Sequence, residues 1–344
     1  MSIRVDGYAC LGSFGRDAPS LLASLRGNGP SGFTPATDLS GLAEFFPPRN
    51  LRQCDHFSRL ALLGASLALR NAGLAPRDGD AGTVWGVVLA SGYGPARPTF
   101  DFLDSILEHG EGMASPLAFS LSVHNIPAAI LARNLGIIGP CATVCQYESA
   151  VASGLLLAGT WLAEGRADRV LFGGVDEHTP VLDAITARLA QERADNKARP
   201  CRRRLPLGEG AAFFVLSRAD GKDKGSPAPR IEAVSLSASP GQPDGLAPDG
   251  LAPGGLAPGG LAPDGELLFA SGIVPDGLKR AAKAIDGGRV YGNLPVAQAL
   301  DCAVALAMLE NAGGPEAATP PRRARCLNFA RGVRGEVRIA GATS

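Results

Sequence analysis

Between Gly245 and Asp264 a five-residue unit, Gly-Leu-Ala-Pro-(Asp/Gly), repeats without interruption. A proline at every fifth position forbids a stable helix, and the glycines prevent a strand. The wider segment 238–265 therefore reads as an extended linker and not as a solenoid, because so short a unit presents no face on which copies can stack. Whatever core the chain builds must come from the two sides of that segment. They are a long first part, residues 1–226, and a reduced second part made of 227–237 and 266–344.

The long first part alternates strand-like and helix-like patterns. A strand opens at 3–5 and is followed by Gly/Ser-rich turns. Residues 55–71 show helical spacing, with Leu60, Leu63, Leu67 and Leu69 largely on one face and Asn71-Ala72-Gly73 as the stop. Residues 83–90 read as a buried strand, 99–108 as a helix carrying Phe100, Leu103 and Leu107, and a third helix begins after Asn125. An Ala/Leu-rich helix spans 149–164 and ends before Gly165. Residues 169–174 are charged at the entrance and apolar within, the pattern of a central strand covered on both faces. Beyond them, a turn enters a strand over 208–217, and further strands are expected at 230–236, 267–270 and near 336–339. Helices are expected over 275–284 and 296–311.

Composition narrows the function classes. With 33 basic and 33 acidic residues in 344, no cationic face points to nucleic acid or a lipid surface. Few aromatics and many Gly, Ala and Leu residues suit closely packed α/β layers. The seven cysteines form no CxxC pair, which favours reduced thiols over a disulfide frame or a metal site. Arg4, Asp6 and Gly7 interrupt any N-terminal apolar run, and no stretch is long enough to span a membrane. The expectation is a soluble, cytoplasmic protein without metal or cofactor.

Two long stretches carry a family resemblance. The first is Asp55-His-Phe-Ser-Arg-Leu-Ala-Leu, running on to Gly73. The second begins Ser115-Pro-Leu-Ala-Phe-Ser-Leu-Ser-Val-His-Asn125, passes Gly139-Pro140 and ends at Gly165-Arg-Ala-Asp168 with Gly173-Gly174. Gly208-Glu-Gly-Ala211 and Asn328-Phe329 add shorter matches. Together they resemble the β-ketoacyl synthases, which extend acyl chains on acyl carrier protein. The Ser-Val-His-Asn form resembles a divergent branch found in bacterial aryl-polyene clusters. The resemblance implies a thiolase-type layered αβαβα fold with two pseudo-repeated halves, here with a reduced C-terminal half. It also implies a dimer formed by pairing edge strands.

The catalytic positions depart from that family. The resemblance implies a nucleophilic cysteine eight residues past Pro140 and seventeen before Gly165, and both counts land on Glu148. A thiolate attacking a thioester forms another thioester of similar energy, whereas a carboxylate would give a mixed anhydride and expel a better leaving group than itself. Cys145 lies three residues upstream, out of line with the helix start. Two histidines are implied in the C-terminal half to stabilise the enolate and the oxyanion. No histidine follows His178. Ser271 stands at the first position, in Phe269-Ala-Ser-Gly272, and Asn293 at the second, in Tyr291-Gly-Asn-Leu-Pro-Val-Ala-Gln298; Gly288 falls near the place of the accompanying lysine. The repeat occupies the region where a helix precedes the first histidine. The final Gly/Phe-rich loop reads Asn328-Phe-Ala-Arg-Gly-Val-Arg334 and gains Arg331 and Arg334.

Other residues have plainer readings. Glu148 suits a helix N-terminus, worth about 0.3–1 kcal/mol through the dipole. It equally suits a plug in a vestigial acyl pocket, paired with Arg331 or Arg334, and the two readings are compatible. Gln146 is two residues out of register with the glutamine of chain-length factors. His124 reads as a satisfied structural histidine, and Asp176-Glu177-His178 as a solvated loop, since three adjacent residues at a strand end cannot converge on one metal. Glu209 is expected to hold a loop by hydrogen bonds, with Gly208 and Gly210 making a tight turn. His56 replaces a family arginine and is expected to be exposed. Arg202, Arg203 and Arg204 form a solvated turn or touch the acidic surface of an acyl carrier protein.

The resemblance thus implies a chain-length-factor-like subunit that pairs with an active ketosynthase, or with itself. Met113, Leu117, Phe119, His124, Asn125, Glu148 and Phe329 are the candidate pocket or tunnel residues. Two alternatives stand beside it. One is an enzyme, either a carrier-protein-dependent malonyl decarboxylase or a condensing enzyme with a relocated nucleophile. The other is a non-enzymatic interaction protein on the same fold. A neighbouring gene for a synthase with intact Cys-His-His favours pairing, and an isolated gene favours the interaction protein.

Overall fold

The computed structural model describes residues 2–27, 35–76, 82–195, 207–219, 228–238, 266–272, 285, 288–310, 321–330 and 333–342. The proline repeat, the helix expected over 275–284 and Arg202, Arg203, Arg204 and Arg331 lie outside these residues. The chain runs β1 (Ile3–Gly12), α1 (Ala18–Leu25), α2 (Pro48–Leu51), α3 (His56–Ala72), β2 (Trp85–Ser91), α4 (Ala96–His109), α5 (Pro116–Ser122) and α6 (Ile126–Leu135). It continues with β3 (Cys141–Cys145), α7 (Ala150–Ala163), β4 (Arg169–Asp176), α8 (Pro180–Asp195), β5 (Gly210–Arg218) and β6 (Arg230–Ala238). The last elements are β7 (Leu267–Gly272), α9 (Gly288–Tyr291), α10 (Ala297–Glu310), β8 (Arg323–Ala330) and β9 (Val333–Ala340).

Among the described residues the strands order as β3-β2-β4-β5-β1-β6-β9-β8-β7. Read outward from the β1–β6 junction, the two flanks repeat one pattern. On the first flank β1, β5 and β4 pair antiparallel, then β4, β2 and β3 pair parallel. On the second flank β6, β9 and β8 pair antiparallel, then β8 and β7 pair parallel. Among the described residues the fifth place is marked by Ile285, in a parallel bridge to Phe269.

The junction is narrow, formed by Ile3↔Ile231 and Arg4↔Arg230. It lets the flanks face each other across a middle layer. α7 packs against β2, β3 and β4 of the first flank and against β6 and β9 of the second. α10 packs against β7, β8 and β9 and also against β1, β4 and β5. α3 and α6 cover the far face of the first flank. This is the thiolase-type layered α/β arrangement.

Burial on both faces explains the unbroken apolar runs. Along β5, Ala212, Phe214 and Leu216 join the middle-layer core, while Ala211, Phe213 and Val215 join the core under α3. α3 is well bounded: the Asp55 side chain accepts from the Ser58 N–H at 3.2 Å, and Gly73 closes the helix with φ 65°. The ring of Phe213 lies over Gly173 in β4 and Gly64 in α3, where an added methyl would stand well inside contact distance. Gly173→Ala should therefore cost about 1–3 kcal/mol in equilibrium denaturant unfolding through overpacking. Adding Phe213→Leu should recover part of that loss, and an unchanged midpoint in Gly173→Ala would show that the ring does not depend on the glycine.

Three expectations need correction. The opening strand does not end at residue 5; pairing with β5 carries it to Gly12. Asn328–Ala330 and Val333–Arg334, expected as part of a loop, are strand: β8 continues to Ala330 and β9 begins at Val333. The 99–108 helix begins earlier than its apolar spacing suggested, at Ala96, and as α4 it turns Leu103 and Leu107 outward.

Candidate functional site

The parallel strands β2, β3 and β4 bring Ser91, Cys145 and Asp176 together at their C-terminal ends. Asp176 is fully buried and accepts from Ser91 Oγ at 2.7 Å, Gly92 N at 2.9 Å and Tyr93 N at 3.2 Å. Burial pushes its carboxyl up to about 6, while these bonds and one from the Val296 N–H oppose the rise. The one side chain thereby fastens the end of β2 to the start of α10.

The segment leaving β3 makes a tight turn, Tyr147–Ser149, before α7. Tyr147 sits in the left-handed region at φ 47°, a conformation costing a non-glycine residue roughly 1–3 kcal/mol. Its ring meets Tyr93 edge-on, centroids 5.9 Å apart. Glu148 follows on this turn, half-buried and packed near β8 and β9. It forms no ion pair with Arg334, whose guanidinium lies 4.0 Å from Glu336 instead. Glu336 also holds Arg325 and Arg338, so the charge expected for Glu148 is already engaged. Burial pushes the Cys145 thiol up to about 11, aided by the Asp176 charge. That leaves little thiolate at neutral pH. Gln146 accepts from Ser153 Oγ at 2.5 Å, a contact within the start of α7.

On the second flank, Ser271 at the end of β7 is buried beside Asn328 of β8. Its Oγ donates to the Leu327 carbonyl at 3.3 Å and accepts from Asn328 Nδ2 at 3.2 Å. Asn293 is exposed before α10, with its backbone bridged to Leu207. Glu148, Ser271 and Asn293 are not hydrogen-bonded to one another. Phe329 belongs to β8, and its side chain is outside the described set.

The candidate tunnel residues lie on one open face. Met113 is 67 % exposed, Leu117 60 % and Phe119 55 %, with Leu103, Leu107 and Val123 nearby in sequence and also outward. Phe119 leans on Phe102, ring centroids 5.2 Å apart. His124 and Asn125 are exposed too, which corrects the expectation of a satisfied structural histidine; the His124 imidazole lies over Gly94, where no side chain competes for the space. β3 is an edge strand in this structure.

Two further expectations are overturned by a polar cluster behind β4. Asp176 and Glu177 are buried and His178 is half-buried, not a solvated loop, since Asp176 is tied to the end of β2, Glu177 to the Arg97 N–H and His178 to Glu209. His178 donates its N–H to Glu209 Oε2 at 3.3 Å and places its ring 2.7 Å from Asp183. His56 is not freely exposed; its Nε2 lies 2.9 Å from Glu209 Oε2, because the cap of α3 aims it inward. Glu209 also accepts from the Thr37 N–H at 2.6 Å, in the loop-holding role expected for it. No metal-binding group of His, Cys, Asp or Glu occurs among the described residues.

One feature went unread in the sequence. Arg49, Arg52 and Arg133 line a cavity of about 480 Å³ with Asn50, Gln53 and Asn134, and none of these six is acidic. Such a cluster of guanidinium and amide donors suits an anionic partner. Arg49 and Arg52 stand three apart on the turn of α2, which sequence spacing allows; Arg133, at the end of α6, comes near only through the fold. No described helix is long and apolar enough to cross a membrane.

Comparisons with known proteins add to this geometry. The family described as beta-ketoacyl synthase, N-terminal domain, matches residues 31–221. A chloroplastic 3-oxoacyl-[acyl-carrier-protein] synthase I of Hordeum vulgare is 27 % identical over 191 residues, 49 % of this chain and 39 % of that protein. Nodulation protein E of Rhizobium sp. (strain N33) is 28 % identical over 230 residues, 62 % of this chain and 56 % of that protein. The chain thus spans roughly two fifths to just over half the length of these relatives. Among solved structures, one described as the ishigamide ketosynthase/chain length factor aligns over 100 % of both chains, with TM-score 0.66 and 18 % identity. A type II polyketide acyl-carrier protein in complex with its ketosynthase bound to the hexaketide, AntDE:AntF, gives TM-score 0.73 at 14 % identity over 99 % of both chains. A β-ketoacyl synthase from Burkholderia phymatum STM815 gives 0.66 at 16 % identity, also over 99 % of both chains. At these identities the structural matches speak to fold.

Proposed function

Because the chain belongs to the β-ketoacyl synthase family, we propose that it is a non-condensing, chain-length-factor-like subunit that pairs with an active ketosynthase in bacterial fatty acid, polyketide or aryl-polyene type biosynthesis. The observation that carries this reading is Glu148. It occupies the turn entering α7, where the family resemblance calls for the nucleophile, and its carboxylate cannot carry an acyl group as a thioester. The remaining positions support the same reading. Ser271 spends its hydroxyl on Leu327 and Asn328, and all four histidines precede β5, at 56, 109, 124 and 178.

Pairing is supported by the open face of α4 and α5 and by the β3 edge. Outward Leu, Met and Phe side chains, and separately an open edge strand among the described residues, are surfaces that favour burial against a partner. That one structural neighbour is described as a ketosynthase/chain length factor and another as a ketosynthase with its acyl-carrier protein fits such an assembly. In this reading Met113, Leu117 and Phe119 close the partner's acyl tunnel. Arg49, Arg52 and Arg133 receive the acidic surface of the carrier protein, a role also assigned to Arg202, Arg203 and Arg204. The first part, 1–226, supplies the paired face, and the reduced part, 227–237 with 266–344, completes the middle layer.

The test is co-expression with the intact ketosynthase of the same gene cluster, followed by analysis of product chain length. The expected outcome is a stable one-to-one complex whose products change length when Met113 is replaced by Ala or Trp. Malonyl turnover by the isolated chain would instead identify a carrier-protein-dependent decarboxylase or a divergent condensing enzyme. Failure to associate with any synthase would identify an interaction protein on the same fold.

A further inference from the structure

The cluster around Glu209 brings acids and imidazoles from four places together. Asp55 and His56 come from the cap and first turn of α3, Glu177 from the end of β4, His178 and Asp183 from the entry to α8, and Glu209 from the residue before β5. Arg97, at the start of α4, contributes its N–H to Glu177 Oε1 at 3.0 Å, and its side chain is exposed. Glu209 and Glu177 are each only 3 % exposed. Glu177 Oε2 and Asp55 Oδ2 are buried with no hydrogen-bond partner among the described residues. His56 is bonded to Glu209, at 2.9 Å, with Glu177 and Asp55 close enough for its charge to act on them, while the His178 ring turns to Asp183.

Two buried carboxylates and the half-buried Asp55, with His56 as the imidazole held among them, are unfavourable as three anions once that charge is lost. Through Glu209 the charge also governs backbone, because its two oxygens hold the N–H groups of Thr37 and His178. Through Glu177 it reaches Arg97 N, in the first turn of the helix that carries Leu103 and Leu107. We propose that His56 and Glu209 form a proton-operated latch, closed when the imidazole is charged, that ties the Thr37 strand of chain, the β4–α8 turn and the start of α4 to the cap of α3.

The titration has a definite sign. The bond to Glu209 raises the His56 pKa above its ordinary value, against the opposing effect of burial. Its stabilisation is therefore full below about 6.5 and is lost as pH rises through the folded-state value. Burial pushes Glu177 up to about 7, against the Arg97 N–H. A raised carboxyl weakens the fold as pH climbs from its unfolded value towards 7, so it acts in the same direction. Burial pushes Glu209 up, but the His56 bond and charge together with the Thr37 and His178 N–H groups outweigh it and leave the carboxyl below its ordinary value, so its contribution is lost only in acid. The latch is closed in mildly acidic solution and opens above neutrality.

The latch stands whether or not the chain pairs with a synthase, so its test uses the full chain alone. Amide hydrogen exchange at Thr37, His178 and Arg97, corrected for the intrinsic rate at each pH, should show protection falling about tenfold or more between pH 6 and pH 8.5. In His56→Arg, where the cation is permanent, protection at the three amides should hold across that range. Equal protection at both pH values in the unaltered chain, or an equal fall in His56→Arg, overturns the latch. Should His56→Arg fail to fold, the imidazole of the unaltered chain is followed by NMR: titration above pH 6.5 supports the latch, and titration at or below it overturns it.

Discussion

Leu117→Asp combined with Phe119→Asp should abolish pairing with the cognate ketosynthase, weakening association by about 100-fold or more while leaving the isolated chain folded. Both side chains are more than half exposed, so the charges are solvated in the free chain and cost little there. In a complex that covers α5, each carboxylate would be stripped of water without a partner, and buried contact centres of this kind carry about 2 kcal/mol or more each. Two such losses exceed the 2.8 kcal/mol, roughly, that corresponds to 100-fold. The control is Leu236→Asp in β6, also outward-facing and on the second flank, which should pair normally. Size-exclusion chromatography with static light scattering reads the complex. Circular dichroism of each variant alone shows whether it is folded. Undiminished pairing by the double variant would remove α5 from the interface and with it the assignment of Leu117 and Phe119 to a partner's tunnel.

The elements most legible in the sequence were those whose side chains answer to a single environment. α3 announces itself by helical spacing between an Asp55 cap and a Gly73 stop, and Leu60, Leu63, Leu67 and Leu69 are all buried as that spacing requires. β2 and β4 read as buried strands because both of their faces meet apolar layers. α1 was missed even though Asp17 caps it through the Ser20 N–H at 2.7 Å, since its eight residues are too few for a clear period. α8 was missed for a different reason: its outward face carries Val181, Ile185 and Leu189, which blurs the polar and apolar sides.

The candidate site was legible as a set of positions and not as an environment. Counting from Pro140 and Gly165 selected Glu148, and the structure places that residue on the turn before α7. Nothing in the local sequence shows that Glu177 and His56 are drawn inward, because the groups that bury and pair them come from β5, α4 and the Thr37 segment. The same holds for Arg133, which joins Arg49 and Arg52 only once α6 packs on α3. Charge read from short windows predicts exposure for such residues, and long-range pairing overrides it.

Glu148→Cys should restore acyl loading without restoring condensation, and the separation of these two steps is the sharpest test of what the site lacks. A cysteine at 148 would sit on the turn opening α7, where the helix N-terminus favours a thiolate. Incubated with an acyl-carrier-protein thioester, the variant should gain the mass of the acyl group, while the unaltered chain and Glu148→Gln should gain nothing. Condensation also needs groups that stabilise an enolate and an oxyanion, each such donor being worth roughly 10²–10³ in rate. The hydroxyl of Ser271 is committed to the Leu327 carbonyl and to Asn328, and Asn293 stands exposed in a bridge to Leu207. The acylated variant should therefore release no chain-extended product when malonyl carrier protein is added. Extended product from the variant would mean that other residues supply that stabilisation, and the reading of a purely non-condensing subunit would have to be abandoned. Absence of acylation would mean that the strained backbone at Tyr147 turns residue 148 away from an incoming thioester, making the turn itself, and not only the glutamate, a barrier to acyl loading at this position.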